Sequence, residues 1–386
     1  MRLRKYQIGL DVSFMKICLV GSKMRVVTFA NQLAERGVEV HIIPNRVISN
    51  GSMGWIDPRI RCHEEFVNKL KFESLAHIFQ YPFTILRFRK KIREINPDIV
   101  HAFFIIIYGW IVSFCNFHPF VLTTMGSDIN VEQGAFKTIP RRILSPAALR
   151  MADLVTVQSQ EGYDQVKIQT PDKKVIFFRA GFDWRKFYDD KKPVGLANQL
   201  KVQNDFVILS PRGFNKVFYN IEVIVKGFKK LLESVGNCKL LLIGKSDNDY
   251  AKRIRNLVEE LEIQDYVIFV GRIPHDEIKN YYNLCDVAVS LPDTDGSPAS
   301  VVEILACGKP ILAGRNNSIE ELITDGSNGF IIDPHDDNAL FQRLVNLHSN
   351  QGLYTQMADN ALKDIGKHAS QEYCNKMVKE YERFLS

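Results

Sequence analysis

The stretch "VAVSLPDTDGSPASVVEILACGKPILAG", residues 287–314, predicts one complete unit of secondary structure. The run "VAVSLP" has the length and composition of a buried strand, and the loop "DTDGSPAS" follows it. The run "VVEILAC" predicts a helix that ends at Gly308, with Pro310 beyond it, and "PILAG" returns to a strand. Two apolar strands joined through a helix predict a parallel βαβ unit, which is the building block of a doubly wound α/β sheet.

The same alternation extends over most of the 386 residues. We therefore predict two doubly wound domains, residues 15–187 and 200–369. Residues 1–14 are a possible extension, and a final helix at 370–386 has apolar side chains on one stripe and is expected to pack on the first domain. Ligands of such sheets bind at the carboxyl ends of the strands, so the cleft between the domains is the expected site. The predicted strands are 16–21, 38–44, 98–104, 120–126, 154–159, 174–181, 206–212, 239–244, 266–271, 287–292, 310–314 and 329–333.

Composition excludes several classes of protein. Hydrophobic residues make up 46% and charged residues 24%, which is typical of a globular chain. The 7 cysteines are scattered without a C-x-x-C pair, which argues against a disulfide framework or a zinc site and favours a reducing cytoplasm. The longest apolar run, residues 102–115, is shorter than the ~20 residues that span a bilayer and predicts a buried strand turning into a core helix. Neither G-x-G-x-x-G nor a P-loop occurs, which disfavours dinucleotide oxidoreductases and P-loop kinases.

Positive charge is concentrated in the first half of the chain. Residues 1–190 contain 27 Lys and Arg against 18 Asp and Glu, whereas residues 191–386 contain 23 against 26. This asymmetry predicts an anionic partner such as a membrane surface, a phosphorylated lipid or a nucleic acid. Residues 81–93, "YPFTILRFRKKIR", interleave apolar and basic side chains in a pattern typical of a helix at an anionic membrane surface. A core helix with a solvated basic face is the alternative.

The helix start in the opening stretch predicts an anion site. Gly296, Ser297 and Ser300 leave backbone N–H groups accessible at a helix N-terminus, where the helix dipole favours a phosphate. Asp295 and Glu303 flank this position and are suited to accepting hydrogen bonds from the hydroxyl groups of a sugar or a ribose. As an alternative, Ser300 and Glu303 form a capping box and Asp295 is a turn residue.

The residues "DGSPASVVEILACGKPILAG", followed by "SIEELITDGSNGFIIDPHD" at 318–336, resemble the signature of the retaining nucleotide-sugar glycosyltransferases of family 4. The segments "FANQLAERGVEVHIIP", "TTMGSD" and "SPRGF" also resemble blocks of this family, and the likeness covers nearly the whole chain from Met15. The resemblance implies the GT-B fold, in which two Rossmann-like doubly wound parallel-sheet α/β domains face a central cleft. The first would bind the acceptor and the second the nucleotide sugar. This chain has Asp295 where the family usually has Glu.

The resemblance also implies roles for residues of the donor site. Glu303 would bind the ribose hydroxyls, and Asp295 would contact hydroxyls of the transferred sugar. Arg212 matches the phosphate arginine of the family and would balance the charge that develops on the diphosphate leaving group. Tyr219 stands where the companion lysine is usual, so Lys216 is the nearest candidate, with a solvated loop lysine as the alternative. The other expected donor-binding residues are Gly296, Ser297, Pro298, Ala299 and Ser300 at the helix start, Gly271, Arg272 and Ile273 near the base, and Gly21 and Ser22 after the first strand.

In the first domain, Asp128 is the candidate for catalytic contact with the acceptor, with helix N-capping as the alternative. Met125 occupies a position where many relatives have a histidine. His101 lies inside an apolar strand and is expected to be a core histidine with its hydrogen bonds satisfied. No metal site is expected, although "DTD" at 293–295 imitates a metal-binding D-x-D motif.

The sequence therefore predicts a retaining glycosyltransferase of the hexosyltransferase type. It would move a sugar from a nucleotide-diphosphate donor to a glycan or lipid-linked acceptor, in the assembly of surface polysaccharide or lipopolysaccharide. We expect it in the cytoplasm, with possible peripheral contact with the inner face of the membrane, and we expect no cofactor and no nucleic acid. Two alternatives are a hydrolysing sugar-nucleotide epimerase of the same architecture and a noncatalytic nucleic-acid-binding protein that uses the basic half of the chain.

Overall fold

The structure is a computed structural model, and it describes residues 15–21, 24–44, 56–66, 81–126, 128–129, 139–178, 183, 185–244, 247–295, 298–366 and 370–386. The predicted extension at residues 1–14 lies outside the described residues. The chain forms two compact units, Met1–Ala180 with Ser370–Ser386, and Gly181–Ala369. The second unit includes residues that precede the predicted boundary at 200, because Phe187 and Ala197 are buried in its core.

In its described residues, the first unit contains a fully parallel sheet of seven strands. The strands are β1 (Lys16–Val20), β2 (Glu39–Ile43), β3 (Arg61–Cys62), β4 (Ile99–Phe103), β5 (Phe120–Thr123), β6 (Leu154–Val157) and β7 (Val175–Phe177). Their order across the sheet is β3-β2-β1-β4-β5-β6-β7. The six strands predicted from the sequence are confirmed. The edge strand β3 was not predicted, because two residues are too short to give an apolar pattern.

Both faces of this sheet are covered. Along β1, Ile17 and Leu19 belong to one core, whereas Cys18 and Val20 belong to the core on the opposite face. Burial on both faces is the reason that the strands are continuously apolar. The helices between the strands are α1 (Met24–Glu35), α2 (Tyr81–Ile95), α3 (Trp110–Ser113), α4 (Ile139–Met151) and α5 (Gln160–Gln169). Side chains of α1 enter the first core, and side chains of α2 to α5 enter the second.

The apolar run at 102–115 turns from a strand into a core helix, as predicted. Strand β4 ends at Phe103, a wide turn spans Ile105–Gly109, and α3 begins at Trp110. Phe104 and Ile107 have φ angles of 92° and 76°, which bulky L-residues rarely adopt, so this segment stores backbone strain at the carboxyl end of β4. Among the helices of the described residues, none is both long enough and apolar enough to cross a bilayer.

The part of the second unit that the structure describes contains a fully parallel sheet of six strands. The strands are β8 (Phe206–Ser210), β9 (Cys238–Ile243), β10 (Val267–Gly271), β11 (Val287–Ser290), β12 (Ile311–Gly314) and β13 (Phe330–Ile332). Their order is β10-β9-β8-β11-β12-β13, and all six were predicted. The helices are α6 (Val194–Leu200), α7 (Ile221–Val235), α8 (Asp249–Glu260), α9 (Ile278–Leu284), α10 (Ala299–Ala306), α11 (Asn317–Glu320), α12 (Asp337–Ser349) and α13 (Gln351–Ile365).

The last helix, α14 (Ser370–Leu385), belongs to the first unit. Its residues Tyr373, Met377 and Tyr381 are buried in the same core as α1. The Tyr381 hydroxyl lies 2.5 Å from Nδ1 of His101, and Nε2 of His101 lies 2.6 Å from Oγ1 of Thr123. His101 is fully buried and both of its ring nitrogens have partners. The prediction of a core histidine is therefore confirmed.

Burial of His101 predicts a loss of stability in acid. Burial lowers the pKa of His101 to about 3, well below the ~6.5 of an unfolded histidine. Between these values the unfolded chain binds a proton that the folded chain excludes, so the free energy of unfolding falls as the pH falls from about 6.5. We expect this residue to account for a loss of about 2 kcal/mol between pH 7 and pH 5.

The measurement is chemical denaturation of the wild-type protein and of His101→Gln at both pH values. Other histidines titrate in both proteins, so the comparison isolates His101. Equal pH dependence of the two proteins would contradict the prediction.

Candidate functional site

The sheet of the second unit changes its winding direction between β8 and β11. These strands are neighbours, but the chain continues from β8 to β9 on one side and from β11 to β12 on the other. Loops that diverge in this way leave a crevice at the carboxyl edge of an open α/β sheet, and ligands bind there. Arg212 follows β8 and Asp295 follows β11. This switch point is the candidate functional site.

Three neighbours hold the Arg212 side chain in position. Its Nε donates to Oγ of Ser290 at 3.2 Å, and its Nη2 donates to Oδ2 of Asp295. Its guanidinium carbon also lies 5.7 Å from the ring centre of Tyr219. The side chains of Arg212 and Asp295 are 17% and 15% exposed, so the ion pair is largely withdrawn from water. The structure thus brings together two residues that the sequence predicted for the phosphate and the sugar.

A second cation lies against the same tyrosine ring. Nζ of Lys216 is 5.2 Å from the ring centre of Phe218 and 5.9 Å from that of Tyr219. Lys216 is otherwise exposed, and its contact with a phosphate stays a prediction. Tyr219, at the position where a lysine was expected, contacts both cations through its aromatic face. In the sequence, this position is visible only as a departure from the family pattern.

The two loops of the switch point are fastened to each other by Asn220. The residue has a left-handed conformation with φ of 51°, and its Nδ2 donates to the Leu291 carbonyl at 2.9 Å and to Oδ1 of Asp293 at 2.5 Å. In return, the Asp293 amide donates to the Phe218 carbonyl at 3.0 Å. These bonds join segments more than 70 residues apart, so no local pattern indicated them.

Helix α10 begins without a capping side chain. Its first residue is Ala299, and the flanking Pro298 makes no side-chain cap. Oγ of Ser300 is buried without a hydrogen-bond partner, so the capping-box alternative is wrong. Proline has no N–H group, so Pro298 cannot supply one of the amide donors predicted there from the sequence. Gly296 and Ser297 lie outside the described residues, and contact of Ala299 and Ser300 with a donor stays a prediction.

Glu303 points into a cluster of polar groups instead of capping the helix. The residue is 8% exposed, and its Oε1 lies 3.2 Å from Nε2 of His275. The Tyr282 hydroxyl donates to its Oε2 at 3.2 Å. Burial, and then the nearby Glu303 charge, raise the pKa of Tyr282, while Arg212 opposes this shift. The structure thus brings Glu303 together with His275 and Tyr282, and not with the N-terminus of its own helix.

His275 and Tyr282 were not predicted as site residues from the sequence. They precede Glu303 by 28 and 21 positions and contact it only because α9 and the loop before it pack beside α10.

The predicted base-contacting residues lie at the same edge of the sheet. Gly271 ends β10, and its carbonyl accepts a hydrogen bond from the Gly244 amide at 2.7 Å. A Cβ atom on Gly244 would lie 2.4 Å from Cα of Gly213, so the loops after β8 and β9 pack backbone against backbone. Arg272 is exposed, and Ile273 packs against the core of the unit. Contact of these residues with a base stays a prediction.

In the first unit, the structure favours supporting roles for the predicted residues. Oδ1 of Asp128 accepts from the Met125 amide and Oδ2 from the Ile105 amide, each at 2.7 Å, and the side chain is fully buried. Asp128 thus holds the strained turn after β4, and contact with an acceptor stays a prediction without structural support. A Cβ atom on Gly21 would lie 3.2 Å from Cγ2 of Val26, so close packing requires this glycine. Ser22 lies outside the described residues.

Within the described residues, no group of three or more His, Cys, Asp and Glu side chains could hold a metal ion.

A family profile described as "Glycosyl transferases group 1" matches residues 196–364, and one described as "Glycosyl transferase 4-like" matches residues 16–159. The chain belongs to the GT4-type glycosyltransferases of the GT-B fold. This assignment favours a glycosyltransferase over the two alternative functions.

Full-length relatives and a solved structure resemble this GT4-type glycosyltransferase. The N-acetyl-alpha-D-glucosaminyl L-malate synthase of Bacillus anthracis is 24% identical over 94% of this chain and 92% of the relative. The alpha-monoglucosyldiacylglycerol synthase of Acholeplasma laidlawii is 22% identical over 83% of this chain and 80% of the relative. The crystal structure of Anabaena HepE in complex with UDP-glucose has a TM-score of 0.74 at 17% identity, over 95% of this chain and 98% of that one, and shares the fold.

Loss of the Asn220 side chain is expected to loosen the switch point of this glycosyltransferase. Asn220→Gly keeps the left-handed backbone accessible but removes both side-chain hydrogen bonds, so we expect about 1–3 kcal/mol of destabilisation of the second unit. Asn220→Ala adds a left-handed alanine and should cost about 1 kcal/mol more. Urea denaturation of the three proteins measures both differences. Equal stability of Asn220→Gly and the wild type would show that the fastening contributes nothing.

Proposed function

We propose that this glycosyltransferase is a retaining enzyme that transfers a sugar from a nucleotide-diphosphate donor to a glycan or lipid-linked acceptor. Surface polysaccharide or lipopolysaccharide assembly at the inner face of the membrane is the proposed setting. The observation that carries the proposal is the pairing of Arg212 with Asp295 at the switch point of the second unit, with Glu303 in the helix that follows the Asp295 loop.

The charges of this cluster suit a diphosphate leaving group. As the bond between the sugar and the phosphate breaks, negative charge develops on the phosphate, and a preorganised cation stabilises it without rearrangement. Arg212 is held by Ser290 and Tyr219, so its guanidinium is preorganised, and Lys216 supplies a second positive charge beside it. The proposal assigns charge neutralisation to these two side chains and includes no metal.

The acidic residues suit the hydroxyl groups of the donor. In this proposal, Glu303 accepts from the ribose and Asp295 from the transferred sugar. His275 and Tyr282 each contact one oxygen of the Glu303 carboxylate. Their contacts hold the carboxylate in place, which supports the assignment of Glu303 to the ribose. Anabaena HepE, which shares the fold, was crystallised in complex with UDP-glucose, and this supports a uridine nucleotide as the first donor to test.

Retention of configuration is proposed to proceed by front-face attack. The acceptor hydroxyl forms the new bond to the anomeric carbon on the face from which the diphosphate departs, and the departing phosphate oxygen takes the hydroxyl proton. In this proposal Asp295 accepts hydrogen bonds first from Arg212 and then from the sugar hydroxyl groups, so its carboxylate is assigned a binding role and not that of a nucleophile. The anomeric configuration of the product, read by proton NMR, tests retention directly.

Glu303→Gln tests the donor site. Because the substitution removes a charged acceptor of ribose hydrogen bonds, we expect affinity for UDP-glucose or another accepted UDP-sugar to fall about tenfold, with little change in melting temperature. Calorimetric titration measures the affinity. Glu259→Gln, an identical change on the exposed face of α8, is the control and should bind like the wild type. Unchanged affinity in Glu303→Gln would remove this residue from the donor site.

The surface of α2 supports contact with an anionic membrane. Phe83 and Leu86 in its first two turns are 71% and 60% exposed, whereas Phe88 and Ile92 are buried in the core. The helix carries five basic residues and one acidic residue, and Arg87, Lys90 and Arg93 are exposed. Exposed apolar side chains at one end of a basic helix fit the boundary between lipid headgroups and acyl chains. The relative from Acholeplasma laidlawii is an alpha-monoglucosyldiacylglycerol synthase, and this supports a lipid acceptor for the present protein.

Vesicle sedimentation tests the membrane proposal. We expect the protein to pellet with phosphatidylglycerol vesicles, to stay in solution with phosphatidylcholine vesicles, and to be released at about 0.5 M salt, because salt screens the basic residues. Phe83→Ala with Leu86→Ala should reduce pelleting severalfold. Ile168→Ala with Val194→Ala is the control, because these side chains are exposed to a similar degree, 67% and 70%, on other helices. Absence from the pellet at every salt concentration would defeat the proposal.

A further inference from the structure

The ion pair between Arg212 and Asp295 has a consequence for the order in which ligands bind and leave. Arg212 donates to the Asp295 carboxylate, so a phosphate that bonds to Arg212 arrives beside an existing anion. The two side chains are 17% and 15% exposed, and water screens charges poorly in such a position. A diphosphate at Arg212 and a carboxylate at Asp295 therefore repel each other unless the carboxylate gains new hydrogen-bond donors.

An intact nucleotide sugar can supply new hydrogen-bond donors to Asp295, whereas a free nucleoside diphosphate cannot. The sugar of the intact donor carries hydroxyl groups beside its phosphate, and these can donate to Asp295 in place of Arg212. A nucleoside diphosphate lacks these hydroxyl groups and leaves the carboxylate facing a phosphate. The exchange of partners is possible without releasing Arg212, because Ser290 and the ring of Tyr219 hold the guanidinium separately.

We propose that Asp295 is an internal counter-ion of Arg212 that selects the intact nucleotide sugar over the nucleoside diphosphate. The carboxylate exchanges Arg212 for the sugar hydroxyls when the donor binds, and it returns to Arg212 after transfer, which weakens the hold on the product. This inference rests on the proposed function, because it requires the donor site to lie at Arg212. It adds a role in product release to the sugar contact assigned above.

The neighbouring carboxylate provides a matched control. Asp293 lies in the same loop, but its Oδ1 accepts from Asn220 at 2.5 Å and lies 3.1 Å from Nε2 of His335. Asp293→Asn therefore removes the same charge close by without removing the partner of Arg212. A general gain of positive potential would affect both variants, whereas loss of the counter-ion would affect only Asp295→Asn.

The experiment is calorimetric titration of the full-length protein with UDP and with inorganic pyrophosphate, which carries no base. We expect Asp295→Asn to bind both ligands about tenfold more tightly than the wild type, while turnover falls and inhibition by UDP increases. Asp293→Asn, and Asp295→Glu with its retained charge, should stay within about twofold of the wild type. Melting temperatures check that each variant is folded.

The outcomes separate the inference from the proposed function. Equal or weaker binding of UDP and pyrophosphate by Asp295→Asn, with binding by the wild type, would overturn the counter-ion role and leave the donor site in place. A similar gain in Asp293→Asn would also overturn it, since general electrostatics would then account for the effect. Failure of both the wild type and Asp295→Asn to bind pyrophosphate and each of UDP, GDP and ADP would overturn the proposed function and this inference together.

Discussion

Each of the two parallel sheets is covered on both faces, and this burial governs the architecture of the protein. A parallel strand needs a crossover helix before its neighbour, and helices on both faces require apolar residues at successive positions along the strand. In β1, alternate side chains enter opposite cores, and the same holds along β8, where Ile208 and Leu209 enter different cores. Since the inner strands are buried on both faces, most of the polar chemistry lies at the carboxyl edge of each sheet.

A few long-range contacts position the loops and the polar side chains at the carboxyl edge of the sheet in the second unit. Asn220 and Asp293 join the loops after β8 and β11, and Gly244 lets the loops after β8 and β9 touch. Arg212 is then held between Ser290, Asp295 and the ring of Tyr219. A charged side chain that is fixed and largely removed from water exerts a stronger field than a solvated one, which is what a reaction with a charged leaving group requires.

The first unit also contains buried polar side chains that hold distant segments of the chain together. Asp128 accepts hydrogen bonds from two backbone amides. It thereby holds the turn at Phe104 to Ile107, where two non-glycine residues have positive φ. The last helix is fastened through the hydroxyl of Tyr381 to His101 and on to Thr123. These buried polar groups have partners within the unit, so they support the sheet edge. The exposed apolar and basic residues of α2 take no part in this core.

Local signals in the sequence, namely apolar runs and glycine stops, were enough to predict the two α/β units and the residues at the carboxyl ends of their strands. Among the described residues they predicted twelve of the thirteen strands. It also indicated Arg212, Asp295 and Glu303 through the resemblance of one motif. The folded chain was needed to choose between capping and clustering for Glu303, since His275 and Tyr282 reach it from another helix and its preceding loop. It likewise decided that Asp128 supports backbone, that Tyr219 bridges two cations and that Asp295 is bonded to Arg212. Such contacts depend on distances between segments that are far apart in the chain, and no pattern within a segment encodes those distances.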